Sequence, residues 1–482
     1  MSLLDELPVK FWDYATRLIA IDSSIVYGNL AVVNLYQQLF KDWQLNPRIW
    51  VQPMLHQGVR HANLMASFGP QTSGGLLLVT HSDTVLSGPL DRWTETAPWT
   101  LKNTGEKVYG LGVADVKLDY LCKALAISQV DQNRLKKPVH LLATCAEEVG
   151  LLGAKHVVQD TVYWPQIKPD YVLCGEPSEL IPCHAHKGYA VIKLCFKWPN
   201  TASNLNVADS YELIVEITAK GRAAHSSTPH LGQNAIIVLA EFLNGYSAYL
   251  IQASGGHSAN AVPALARAVV KVSKKVYEQM QKHASSDVQV TLLSQPSEEK
   301  AFAQTQDFWT CVLRLWQQWN NEVVKLLPNK DEEFNPNTAV CNFGQMQCHA
   351  QQVELVFDAR LLPAQKSQIL IQEFIKQCGL LYPEINIEHA ITRDNPGMRL
   401  SPQHPLILAL CDVMTTLGYS VKAKAKPTST EAGVFVRAGF DAAVFGPGVS
   451  VGNAHCANEC NDVAQLALAV KAYQGLIEKL CM

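Results

Sequence analysis

The segment THSDTV places an imidazole, His81, two residues before a carboxylate, Asp83. Such side chains bind divalent metals and move protons. The same residue types recur in other segments: Asp115 in YGLGVADVK, Glu147 and Glu148 in LLATCAEEVG, Glu176 in CGEPSEL and His455 in VGNAHCANE. No thiolate or lysine is expected to converge with them, so the set suits Zn²⁺ or Co²⁺ in an N/O site. Residues i and i+2 of an extended strand point to one side, so Asp83 is expected to accept the other ring N–H of His81 and fix its tautomer. Adjacent Glu147 and Glu148 repel unless a cation or a proton resolves the repulsion. One could bind metal while the other works as a base.

Each feature alone has a blander explanation. His-x-Asp is more often a turn, a Glu pair favours a helix N-terminus, and Asp115 could be an N-cap. Position argues the other way. Strands are expected at Gly75–Thr80, Val139–Thr144 and Tyr171–Cys174, and His81, Glu147–Glu148 and Glu176 follow them in turn. In open α/β sheets, ligands bind beyond the carboxyl ends of the strands.

The supporting elements alternate as in an α/β layer fold. Helices are expected from Lys117 and over Leu151–Gln159, and MSLLDELPVKFWDYATRLIAIDSS reads as an amphipathic helix. Asp5, Glu6 and the lack of a basic n-region argue against a signal peptide there. After Lys187 the character changes. YAVIKLCFKW and YELIVEITAKG read as alternating, edge-like strands joined by a polar loop, PNTASNLNVADS. A polar turn, AAHSSTPHLGQ, precedes a helix over NAIIVLAEFLNGYSAYLI, and AVPALARAVVKV reads as a strand. Residues 273–333 are mostly helical in pattern. The strand VELVFDARLLP, the helix AQKSQILIQEFIKQCG and the strand INIEHAI follow, and the α/β style returns at SPQHPLILALCDVMTTLG. The expected organisation is a catalytic unit in two pieces, 1–188 and 397–482, with a strand-rich domain inserted at 189–396.

Composition bounds the function. The 482 residues are 48% hydrophobic and 17% charged, with a net charge of -3. Nothing favours a polyanion, so no nucleic-acid partner is expected. No apolar run approaches the roughly 18 residues of a membrane span. Thirteen cysteines, with no C-x-x-C pair, suit reduced thiols of a cytoplasmic protein. His455, Cys456 and Cys460 lack a nearby fourth ligand for a structural zinc.

At this point the residues resemble a known family, the dinuclear zinc amidohydrolases. It includes acetylornithine deacetylase, succinyl-diaminopimelate desuccinylase, aminoacylase and related glutamate carboxypeptidases and dipeptidases. The matching segments are THSDTV, DRWTETAPWTL, YGLGVADVK, LLATCAEEVGLLGAKHV, CGEPSELIPCHAHKGYA, GRAAHSSTPHLGQNAI, FDARLLP, STEAGVF and FGPGVSVGNAHCANE. AHKG after GEP, and STEA before GPG, look most like acetylornithine deacetylases.

The resemblance implies an α/β catalytic domain, with helices on both faces of a mixed sheet, and an inserted α+β lid or dimerisation-type domain. It implies two divalent ions, Zn²⁺ with Co²⁺ or Mn²⁺ as alternatives, bridged by Asp115. One ion would take His81 and Glu176, the other Glu148 and His455. Glu147 would be the general base and Asp83 the orienting carboxylate. His225 would stabilise the oxyanion, Arg360 would hold a substrate carboxylate, and Asn260 would add a substrate contact. No role is expected for His184 or His186.

Two departures stand out. Leu118-Asp119 replaces a frequent Gly-Gly, putting a second carboxylate one helical turn from Asp115. The segment at 255–263 lies about 95 residues before FDAR, as in the longer dipeptidases of the family. There an enlarged lid replaces a dimer partner, so a monomer as well as a homodimer is open. Glu176 resembles the ligand of deacylases and carboxypeptidases, where dipeptidases mostly have Asp. The expected activity is hydrolysis of an N-acyl-amino acid, with a dipeptidase or carboxypeptidase as the alternative. A non-catalytic protein binding amino-acid derivatives would be expected to lose ligands or base, and all are present.

Overall fold

Leu76, Leu77, Leu78 and Val79 are all fully buried, yet they serve two different cores. Leu76 and Leu78 pack with Leu141, Leu173 and Ala443, while Leu77 and Val79 pack with Leu142, Val172 and Val444. This alternation is the period of a strand covered on both faces, which is why the segment reads as a continuous apolar run. Helices Val9–Ile19, Leu30–Asp42, Lys117–Gln129, Pro405–Thr416 and Val463–Cys481 cover one face. Helices Leu152–Gln159, Trp164–Ile167 and Ala432–Arg437 cover the other.

The structure, a computed structural model, describes residues 7–199, 213–293 and 301–482. The chain divides into two compact units. One comprises the residues up to His186 together with Met398–Met482, the other Lys187–Gly397.

The first unit holds a nine-stranded mixed sheet. Leu76–His81 runs parallel to both Val139–Thr144 and Tyr171–Cys174, and Asp441–Val444 runs parallel to the latter. The hairpin Arg48–His56/Val59–Phe68 extends the sheet antiparallel on one side. Cys183–His186 extends it on the other, with Met398–Arg399 antiparallel and Lys424–Lys426 parallel against it. In this register His81 lies opposite Thr144, so the strand ends come level.

The second unit is α+β. Among the described residues its sheet has nine strands, all paired antiparallel. Helices Ala235–Asn244, Thr305–Lys325 and Ser367–Leu381 pack into its core. Several sequence expectations change here. Gly188–Lys197 and Leu213–Lys220 are interior strands that do not pair with each other, so neither is an edge. The connecting PNTASNLNVADS lies, apart from Pro199, outside the described residues. The helix expected through Ile251 ends at Asn244, before Gly245, and Tyr249–Gly255 is a strand. There the β-favouring Tyr-Leu-Ile run pairs on both sides, and tertiary pairing decides the conformation. The stretch expected to be mostly helical also contains the strands Val288–Leu292 and Ala303–Gln304. Among the described residues, no helix is long and apolar enough to cross a membrane.

Candidate metal centre

The parallel register delivers the candidate ligands. Leu76–His81 ends in His81, the turn after Val139–Thr144 carries Glu147 and Glu148, and Glu176 follows Tyr171–Cys174. Asp115 comes from the loop before helix Lys117–Gln129, and His455 from the loop before strand Cys460–Asp462. They converge in three overlapping groups whose ligand atoms lie within 4.8 Å of one another: His81–Asp115–Glu176, Asp115–Glu148–His455 and His81–Glu147–Glu148. Asp115 faces two ways. Its Oδ1 is 3.0 Å from His81 Nε2 and its Oδ2 is 3.2 Å from His455 Nε2. Glu148 Oε1 is 3.0 Å from His455 Nε2. The two imidazoles differ in access: His81 is buried, whereas the His455 side chain is 46% exposed. Ala146 and His455 both adopt left-handed backbone, with φ of 52° and 61°. Such residues are uncommon outside glycine and concentrate at functional sites.

Asp83 acts differently from the expectation. His81 Nδ1 donates to the backbone carbonyl of Asp83 at 3.0 Å, and the Asp83 carboxylate is 3.8 Å away. That carboxylate accepts the backbone N–H groups of Glu147 and Glu148, each at 3.1 Å. The strand ends at His81, so the same-side rule no longer governs Asp83.

Three buried residues join the site without having been singled out in the sequence. Lys426 Nζ donates to Glu176 Oε2 at 2.8 Å, so a lysine does converge here. The Glu459 carboxylate accepts backbone N–H groups from Gly112, Ala114 and Asp115, and the loop bearing Asp115 wraps around it. Glu431 Oε2 accepts from Thr144 Oγ1 at 2.8 Å. The signals were adjacency to His455 in HCANE for Glu459, and the KPTSTEA segment for Lys426 and Glu431.

Asp119 finds its counterion within the helix. Lys123 Nζ is 2.6 Å from Asp119 Oδ2, Thr80 Oγ1 donates to the same oxygen at 2.8 Å, and Tyr473 donates its hydroxyl to Oδ1. This buried network requires Gly175, where a Cβ would meet Asp119 Oδ2 at 1.9 Å.

The electrostatics show a cluster short of positive charge. Burial raises the Glu147 carboxyl well above its usual range; repulsion from Glu148, Glu176 and Glu431 adds to this and His81 opposes it. Glu148 beside His455 is the main cause that pushes that imidazolium up to about 12. Burial would raise Asp115, but hydrogen bonds from His455 and His81 more than offset it and hold the carboxyl low. Burial, with repulsion from Asp115, lifts Glu459 to about 7, and burial lifts Glu431 to about 8. Convergent N and O donors with surplus negative charge fit divalent cations. The groups overlapping at Asp115 would hold two, the first through His81, Asp115 and Glu176 and the second through Asp115, Glu148 and His455.

In the second unit, His225, Asn260 and Arg360 gather around Ser226. Its backbone N–H donates to the Asn260 carbonyl at 2.9 Å, and its hydroxyl accepts from Arg360 Nε and Nη2 at 3.3 and 3.2 Å. The Arg360 guanidinium lies 3.6 Å over the Tyr189 ring, with Asp358 Oδ2 4.0 Å from Nε. His225 is hydrogen-bonded through Nδ1 to Ser227 Oγ at 2.6 Å.

Fold and site together define an α/β protein with a carboxylate- and imidazole-lined candidate metal centre. The model of peptidase family M20/M25/M40 matches residues 77–479, and the chain belongs to that family. Among curated relatives, the acetylornithine deacetylase of Yersinia pseudotuberculosis is 37% identical over 229 residues, spanning 46% of this chain and 50% of that protein. That of Klebsiella pneumoniae is 37% identical over 220 residues, covering 45% and 48%. The chain thus spans about half the length of the curated relatives it matches. The fold is shared with aminoacylhistidine dipeptidase from Vibrio alginolyticus, at TM-score 0.66 and 17% identity over 98% of this chain and 97% of that one. It is also shared with the M20 family metallo-carboxypeptidase Sso-CP2 from Sulfolobus solfataricus, at TM-score 0.59 and 16% identity over 98% and 99%.

Proposed function

We propose that the protein hydrolyses the amide bond of N-acyl-amino acids, in the manner of an acetylornithine deacetylase, with two divalent ions, Zn²⁺ or alternatively Co²⁺ or Mn²⁺. The observation that carries the reading is the two-way placement of Asp115, one oxygen toward His81 and the other toward His455. Similarity to acetylornithine deacetylases supports the substrate class.

When bound, the ions supply Lewis acidity toward the substrate carbonyl and lower the pKa of water. Glu147 is assigned as the general base, taking a proton from water and passing it to the leaving nitrogen. Asp83 holds Glu147 and Glu148 in place through their backbone N–H groups. His225 is assigned to the developing oxyanion. Arg360, stacked on Tyr189, is assigned to the α-carboxylate, which a guanidinium can read bidentately. Asn260 is assigned a further substrate contact.

In this reading the first unit is catalytic and Lys187–Gly397 is the lid or dimerisation-type domain, in a monomer or homodimer. The thirteen unpaired cysteines support a cytoplasmic location. A dipeptidase is the second reading, favoured by the length of chain separating Asn260 from Arg360. The test is turnover of N-acetylornithine and other N-acyl-amino acids against a dipeptide panel, with Zn²⁺ or Co²⁺ supplied. Turnover of dipeptides alone overturns the deacylase reading in favour of the second. No turnover of either class leaves a non-catalytic binder.

A further inference from the structure

The two half-sites are matched in their donors. One has His81 and Glu176, the other His455 and Glu148, and both use Asp115. Donor type and formal ligand charge therefore give neither ion an advantage. Lys426 adds something that the ligand set does not contain. It stands on the short strand Lys424–Lys426, which pairs with Cys183–His186 and so is fixed to the main sheet. Its side chain is buried, and its ammonium donates to Glu176 Oε2 at 2.8 Å.

We propose that Lys426 is a positioning residue that commits one Glu176 oxygen to itself, leaves the other for the metal, and makes the His81–Asp115–Glu176 half-site hold its ion more weakly than its ligands alone would. Two physical effects act in this direction. A carboxylate oxygen that shares its charge with an ammonium at 2.8 Å has less of that charge to give to a cation. The ammonium also repels a dication in a half-site where His81 and Asp115 are buried and screening by solvent is weak. The useful consequence is a more electrophilic ion, since less charge reaches it from Glu176. The inference rests on the proposed metal centre but not on the identity of the substrate.

The experiment titrates Co²⁺ into the metal-free protein, following heat and visible absorption. The half-site is identified as the binding step lost in His81→Ala and kept in His455→Ala. Lys426→Met is expected to tighten that step about tenfold or more. Lys426→Gln, which retains a hydrogen-bond donor without the charge, should tighten it as well, and Lys426→Arg should leave it within about threefold. A wild type that takes up one ion where Lys426→Met takes up two also supports the proposal. An unchanged or weaker step in both Lys426→Met and Lys426→Gln overturns it. Failure of every variant to take up Co²⁺ overturns it together with the metal centre. Co²⁺ uptake without amide turnover overturns only the proposed activity.

Discussion

The Asp83 carboxylate accepts the backbone N–H of Glu147 at 3.1 Å. This bond ties the end of the strand that carries His81 to the turn that carries the proposed base. The base is thus placed by a strand end and a buried carboxylate, with little freedom left to its backbone.

Glu147→Ala is expected to lower kcat by about 10²- to 10⁴-fold while uptake of two metal ions persists. Metal analysis beside steady-state kinetics separates the two effects. Unchanged activity refutes the base assignment.

Metal binding should stabilise the fold, because the ligands converge only when the sheet is formed. At a free ion concentration 1,000 times the dissociation constant the gain is about 4 kcal/mol. Thermal unfolding with and without a chelator measures it. An identical transition in both conditions counts against the metal centre.

Arg360→Lys loses both the fork geometry and the stacking on Tyr189. A loss of about 2 kcal/mol in transition-state binding, roughly 30-fold in kcat/KM, is expected for substrates with a free α-carboxylate. An equal loss on the corresponding carboxamides shows that Arg360 does not read that group.

The Asp119–Lys123 pair predicts a stability effect without catalysis. Asp119→Ala leaves a buried ammonium uncompensated and should destabilise by about 3–5 kcal/mol. Replacing both residues with apolar ones of similar volume should recover much of the loss. Denaturant unfolding of the single and double variants decides, and additive losses contradict the pairing.

His140 gives a pH signature. Burial is the main cause that lowers its pKa to about 4, below the 6.5 of an unfolded chain. The folded state therefore resists protonation. Its contribution is complete above about pH 6.5 and is lost as pH falls toward about 4, a change of up to about 3 kcal/mol. Urea midpoints of the metal-free protein between these limits should slope less in His140→Gln than in the wild type. Parallel slopes exclude His140 as the source.

Much of this was legible in the chain. The strands Val139–Thr144 and Tyr171–Cys174 and the helix ending at Gln159 follow from apolar run length and period, and the candidate ligands were picked out because each follows such an element or matches a family segment. Those signals are local. The Tyr249–Gly255 strand was hidden because an apolar run after a helix has no local mark of its change in conformation, and only pairing across the sheet sets it. Asp83 was expected to take the ring N–H of His81 with its carboxylate, but the strand stops at His81 and the chain turns, so His81 meets the Asp83 carbonyl and the carboxylate meets Glu147 and Glu148. For Lys426 and Glu459 the chain offers only a weak local mark, the KPTSTEA segment and proximity to His455, and nothing that names their partners. Lys426 meets Glu176 from 250 residues away and Glu459 meets Asp115 from 344 residues away. The sequence determined which groups could bind metal and move protons, because that is a property of side chains and of the strands that end in them. Only the tertiary structure decided which charges face one another, because buried charges are paired across the fold and not along the chain.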